Sequence, residues 1–168
     1  MTGFLDEIEA CIPALRRYAR GLSHDRDAAD DLVQDCLERA MRKRSLFRPL
    51  GPVRPWLFRI LLNLYRNDQR RVRRQGIHIP LEPDGNYPDA STNQQSRLEL
   101  AGVAMALQNL PAEQREVLML VALEGMSYEE ASEILEIPTG TVMSRISRAR
   151  QALRTATDAP PPRLRSVK

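Results

Sequence analysis

The chain has 168 residues, a net charge of +3 and 42% apolar residues, enough for a core in one domain or two small ones. No run of about 18 apolar residues occurs, which excludes a membrane-spanning helix, and the acidic start MTGFLDEIEA lacks the basic and apolar regions of a signal peptide. Cys11, Cys36, His24 and His78 are isolated, so neither a zinc spacing nor a disulfide framework is present; no metal or cofactor is expected, and a reducing cytoplasm is the expected compartment.

Strand signals are nearly absent and helical periodicity runs throughout, which predicts an all-α protein. Residues 1–75 are expected to form a first domain of several helices. Asp25 is placed to cap a helix reaching about Arg44, whose apolar stripe is Leu32, Val33, Cys36, Leu37 and Ala40. Asp27, Asp31, Gln34, Asp35 and Glu38 fall on another face of that helix. A loop rich in proline and arginine, FRPLGPVRP, follows at 47–55. The next helix is predicted from about Trp56 to Arg73, with Leu57, Ile60, Leu61 and Leu64 toward the core. Its outer face carries Arg59, Asn63, Arg66, Asn67 and Arg70 beside the basic run RRVRR. With Phe47, Trp56 and Tyr65 nearby, this face suits single-stranded DNA: arginine neutralises phosphate, aromatic rings stack on bases and asparagine bonds a base edge. Core packing is the competing reading for each aromatic taken alone.

Residues 76–96, GIHIPLEPDGNYPDASTNQQS, break the helical pattern with three prolines, two glycines and a PDGN turn signal. A connection of this length predicts a linker between two domains, or a segment that threads through a partner. The second domain is expected over 97–156. Within it, Ser127 and Glu130 have capping-box spacing at the start of a short helix. A turn is expected near Glu136–Gly140, where Pro138 and Gly140 interrupt the pattern. Val142, Ile146, Ala149 and Leu153 then recur as a buried stripe. Thr141, Ser144, Arg145 and Arg148 share an exposed face suited to phosphate oxygens and major-groove base edges. The whole reads as a DNA-binding helix-turn-helix. The tail, 157–168, is expected to be disordered.

Charge is arranged in blocks. Residues 1–38 hold 4 arginines against 9 acids, and 39–74 hold 12 basic residues against Asp68 alone. Residues 75–143 hold 2 arginines against 11 acids, and 144–168 hold 7 basic residues against Asp158. Two basic blocks separated by acidic ones can grip a polyanion at two points, while the acidic surfaces meet a basic protein.

Three segments, ADDLVQDCLERA, PVRPWLFRILLNLYRNDQRR and LPAEQREVLMLVALEGMSYEEASEILEIPTGTVMSRISRARQALR, resemble the signature segments of bacterial extracytoplasmic-function (ECF) sigma factors. The resemblance spans roughly residues 10–155. It implies a non-enzymatic RNA polymerase sigma factor that directs promoter-specific initiation in response to stress or another signal, under an anti-sigma factor. It implies that Asp31, Leu32, Gln34, Asp35 and Glu38 dock on the clamp helices of the polymerase largest subunit, with a further contact at the flap. Phe47, Trp56, Arg59, Asn63, Arg66, Asn67 and Arg70 would melt and read the minus-ten element, Phe47 and Asn63 lining a pocket for a flipped base. Thr141, Ser144, Arg145, Ser147 and Arg148 would read the minus-thirty-five element, and the linker would enter the polymerase channels. The chain departs from the family pattern at Met143, usually basic, at Val121, where some members carry arginine, and at Asn67, where many have aspartate.

Two other classes compete. A dimeric duplex-DNA regulator explains the helix-turn-helix but neither the basic Trp56 helix nor the acidic face. A nuclease could use Asp27, Asp30, Asp31 and Asp35 for magnesium, but no nucleophile–base pair or phosphate-cradling glycine loop accompanies them.

Overall fold

Helix α1, Phe4–Ser23, presents Ile8, Cys11, Leu15, Tyr18, Ala19 and Leu22 at helical spacing, and all six are buried. Asp6 accepts a hydrogen bond from the Gly3 N–H at 2.9 Å, satisfying a donor ahead of the first turn. His24 ends the helix in the left-handed conformation at φ 58°. These features belong to a computed structural model that describes residues 3–46, 51–76 and 94–158. Phe47, most of the expected linker and nearly all of the expected tail lie outside the described residues.

Asp25 caps α2, Arg26–Arg42, as its sequence predicts: its carboxylate accepts from the Asp27 and Ala28 N–H groups at 2.9 and 3.3 Å. Val33, Cys36 and Ala40 are buried, and Leu32 and Leu37 pack partly buried against them. Helix α3, Val53–Arg74, starts three residues before the predicted Trp56, directly after Pro52. The three helices pack on one another as a bundle.

The second group holds α4, Gln94–Gln108, α5, Ala112–Leu118, α6, Tyr128–Leu135, and α7, Thr139–Asp158. Helix α5 runs on into a wide π turn over Met119–Leu123, closed by Glu124 N–H donating to the Met119 carbonyl at 3.0 Å. Gly125, at φ 67°, then reverses the chain, a conformation glycine adopts without steric cost. Ser127 and Glu130 form the predicted capping box at 3.0 and 2.8 Å. The turn before α7 is shorter than predicted. Glu136 is left-handed at φ 56°, Pro138 precedes the first helical residue, and Gly140 already lies inside α7. Proline just ahead of a helix start and glycine in its first turn interrupt the sequence pattern without interrupting the helix.

The groups share their main core, and a small cluster of Leu110, Leu118 and Ala149 belongs to the second alone. Tyr18, Leu57, Phe58 and Leu61 of the first belong to one buried cluster with Val117, Leu120, Ile134, Leu135 and Ile146 of the second. Tyr18 and Phe58 rings meet at 5.3 Å. Gly21 is where α1 approaches the π turn: a Cβ there would lie 1.9 Å from Met119 Cε, so only a hydrogen fits without displacing the methionine.

Burial sets the titration of three groups. The Cys36 thiol donates to the Leu57 carbonyl at 3.4 Å, and burial pushes it up to about 12. Burial also raises Cys11. His24 is pushed down to about 4 by burial and by the nearby Arg115 guanidinium, and its Nε2 has no hydrogen-bond partner among the described residues. The unfolded chain therefore binds a proton near 6.5 that the folded chain refuses until about 4. Stability is full above 6.5 and falls as the pH drops through this window, by about 1–2 kcal/mol after allowance for solvent screening. His24→Asn, which keeps a residue tolerant of the left-handed conformation, should flatten that slope in urea unfolding followed from pH 7 to 4.

Candidate nucleic-acid interface

On α2, Asp31, Gln34, Asp35 and Glu38 are exposed, while Leu32 is half-buried against the core. Gln34 donates to Glu38 at 3.5 Å, and Glu38 pairs with Arg42 at 3.7 Å. Among the described residues no three His, Cys, Asp or Glu side chains converge to hold a metal ion. The acidic row is a spread surface.

Helix α3 turns Arg59, Asn63, Asn67 and Arg70 to solvent, with Arg66 half-buried beside them. Spacings of three and four residues place them on one face because the opposite side is committed to the core. That commitment is wider than the sequence predicts. Phe58, Leu62 and Tyr65 are buried as well as Leu57, Ile60 and Leu61. Tyr65 therefore does not join the cationic face, contrary to what its neighbourhood in the sequence predicts: its hydroxyl donates to the Leu22 carbonyl at 3.0 Å inside the bundle. Trp56 is half-buried, its ring 6.2 Å from that of Phe4.

On α7, Val142, Ile146 and Ala149 are buried and Leu153 is partly so, as the stripe predicts. Ser144, Ser147 and Arg148 are exposed, and Thr141 is half-buried. Ser144 turns its hydroxyl back to the Thr141 carbonyl at 3.0 Å. Arg145 is only 19% exposed and pairs with Glu113 of α5 at 3.0 Å. Met143, where the resemblance leads one to look for a cation, is 50% exposed.

The structure thus presents two cationic helix faces, and it pairs several of their arginines with acids of the second group. Arg59 meets Glu136 at 3.0 Å. Arg66 grips Glu116 through Nη2 at 2.7 Å and Nε at 3.4 Å. Residues without a motif in the sequence complete the pattern. Glu124 accepts from Arg17 Nε and Nη2 at 2.9 and 2.7 Å, and from Arg54 Nη2 at 3.1 Å. Arg54 also lies 5.5 Å over the Phe58 ring. Glu116 and Glu124 are 3% and 4% exposed. The only trace of them in the sequence is position: they bracket the apolar run VLMLVAL, where a carboxylate is carried toward the core. Beside this junction runs a groove of about 770 Å³ lined by Leu107, Leu118, Met119, Ala122, Leu123 and Leu153 and rimmed by Arg17, Arg20, Arg26 and Arg150.

Comparison with known proteins gives consistent matches. Residues 8–62 match the family profile described as the Sigma2 domain of PhyR, and residues 100–153 match Sigma-70, region 4. The ECF RNA polymerase sigma factor EcfG of Rhodopseudomonas palustris is 42% identical over 88% of this chain and 81% of its own. The ECF RNA polymerase sigma factor SigM of Mycobacterium tuberculosis is 36% identical over 83% of this chain and 69% of its own. Among solved structures, the sigma factor RpoE of Bartonella quintana, in complex with the anti-sigma factor NepR, superposes with a TM-score of 0.75 at 35% identity, covering 93% of this chain and 97% of that one. CnrH, in complex with the cytosolic domain of CnrY, superposes with a TM-score of 0.68 at 34% identity, covering 90% and 84%.

Proposed function

The chain belongs to the ECF RNA polymerase sigma factors, and from that premise we propose how its surfaces share the work of initiation. It directs RNA polymerase to specific promoters, acting as a specificity factor in the cytoplasm and not as a catalyst. The exposed Asp31, Gln34, Asp35 and Glu38, with Leu32 beneath them, dock on a basic coiled coil of the polymerase. Arg59, Asn63, Arg66, Asn67 and Arg70 of α3, with Trp56 and Phe47, hold the opened minus-ten strand. Thr141, Ser144, Arg145, Ser147 and Arg148 of α7 read the duplex upstream. The observation that carries this division is the presence in one chain of an Arg/Asn face on α3 and a Ser/Arg face on α7.

The energetics suit a factor that consumes no fuel. Extruding a base costs a few kcal/mol, and stacking it on an aromatic ring returns about 1–3 kcal/mol. Polymerase contacts supply the remainder. Two modest DNA sites in one chain gain effective concentration, so the free protein binds its promoter weakly and the holoenzyme binds it specifically. Run-off transcription with core polymerase is the deciding experiment. Initiation at a cognate promoter is expected, and its failure at every candidate promoter would overturn the assignment.

Arg148 is exposed, whereas Arg145 also anchors α7 to α5, so Arg148→Ala is the cleaner probe of upstream reading. It should lower transcription from promoters that depend on the upstream element by about tenfold, the size of one lost base or phosphate contact. An unchanged footprint and unchanged transcription would remove Arg148 from the interface.

An anti-sigma factor controls the chain by covering it. The groove beside the junction, apolar within and arginine-rimmed, suits an acidic amphipathic helix of such a partner. The complexes of the two solved relatives with NepR and CnrY support this reading.

A further inference from the structure

We propose that Met143 is a specificity-determining residue of α7: it reads the methyl group of a thymine in the major groove of the upstream promoter element. The proposal rests on the reading of α7 as the helix that meets duplex DNA.

Three observations carry it. Met143 stands one turn into α7, which starts at Thr139, and the early residues of the second helix in a helix-turn-helix are those that reach base edges. It is 50% exposed, the one large apolar side chain that α7 turns outward among the described residues. Its neighbours on the helix are committed or short. Arg145 is held by Glu113 at 3.0 Å, the Ser144 hydroxyl donates to the Thr141 carbonyl at 3.0 Å, and Ser147, one turn on, is exposed but small. Over the first two turns of α7, Met143 is therefore the long side chain left to project into a groove. A recess bordered by Tyr128, Ile146, Ser147 and Arg150 lies beside it and gives its unbranched chain room to adjust.

The chemistry selects one base. A thioether donates no hydrogen bond and accepts only a weak one. Adenine, guanine and cytosine present polar groups to the major groove, whereas thymine adds a methyl beside its O4. Methionine laid over a polar edge strips water from groups it cannot satisfy. Laid over the methyl, it removes apolar surface from water on both partners. The contact favours thymine by attraction and disfavours the other bases by desolvation. A lysine here would gain affinity from phosphate, which carries no sequence information. Methionine exchanges that affinity for selectivity.

The test uses holoenzyme reconstituted from core polymerase and the full chain, on a duplex promoter fragment that supports run-off transcription. Each thymine under the upstream footprint is replaced singly by deoxyuridine, which deletes the methyl and leaves the hydrogen-bonding edge unchanged. With the parent chain, deoxyuridine at one thymine should weaken binding about fourfold, the size of one buried CH2 group. Met143→Ala, a helix-favouring change at an exposed site, should lose a similar factor on the thymine duplex and be indifferent to the deoxyuridine. The two losses should not add, which marks a direct contact. Met143→Gln, close in length, should prefer adenine at that position, because its amide pairs with adenine N6 and N7. Deoxyuridine losses that are equal in the parent and Met143→Ala, or absent from both, overturn the methyl contact. So does a Met143→Gln holoenzyme that still prefers thymine. If the upstream footprint is intact in these cases, the reading of α7 as a duplex reader stands. Transcription with no upstream footprint overturns that reading and the methyl contact together.

Discussion

Charge reversal of Asp31 and Asp35 to lysine is expected to weaken association with core RNA polymerase by about a hundredfold or more while leaving the helical signal of the chain intact. Both carboxylates are exposed on α2, and the helix is held by Val33, Cys36 and Ala40 on its other side. Two lysines set against a basic coiled coil replace attraction with repulsion, and like charges juxtaposed across an interface cost several kcal/mol. The change to the helix itself is a few tenths of a kcal/mol, because both sites lie beyond its first turn and alter only exposed i,i+4 charge pairs. Fluorescence anisotropy against core enzyme, paired with circular dichroism, separates the two effects. A loss of helicity that accompanies the loss of binding would assign these residues to the fold instead.

Phe58→Ala is expected to destabilise the protein by about 3–5 kcal/mol, the usual cost of deleting a buried ring. Folded domains are stable by roughly 5–15 kcal/mol in total, so much of the margin goes. Phe58 is fully buried against Tyr18 and belongs to the cluster that continues through Leu120 and Ile134. The loss is therefore shared by both helical groups, and they should unfold together. Trp56, the only tryptophan, reports on the first group, and circular dichroism reports on both. Coincident urea transitions by the two probes are expected. A tryptophan transition that shifts alone, with a second one left at its original midpoint, would show that the groups are energetically separate.

How far the fold could be read depends on how local its causes are. The start of α2 was legible because Asp25 caps donors only two and three residues away. The Ser127–Glu130 box is legible for the same reason. The stripes of α2 and α7 follow from period alone. Helix α3 was harder, because it is buried over so wide an arc that Tyr65 looks like a surface aromatic beside arginines. The π turn has no residue signature, since an i→i+5 step is made by packing. The junction between the groups was invisible. Arg66 meets Glu116 from 50 residues away, Arg54 meets Glu124 from 70, and Arg17 from 107. No composition or spacing rule pairs charges across such distances. The charge blocks did indicate that acids and arginines are segregated, but not that they would face one another within the same molecule.

The two cysteines set a boundary on what this molecule can perceive. A redox sensor works through a thiolate that an oxidant can reach. Here Cys36 is sealed under α3 with its thiol pushed up to about 12, and Cys11 is likewise buried and raised. Disulfide exchange and thiol-directed oxidants find no exposed thiol among the described residues of the folded chain. If the stimulus is read by a thiol, that thiol belongs to another molecule, and this one receives only the mechanical outcome.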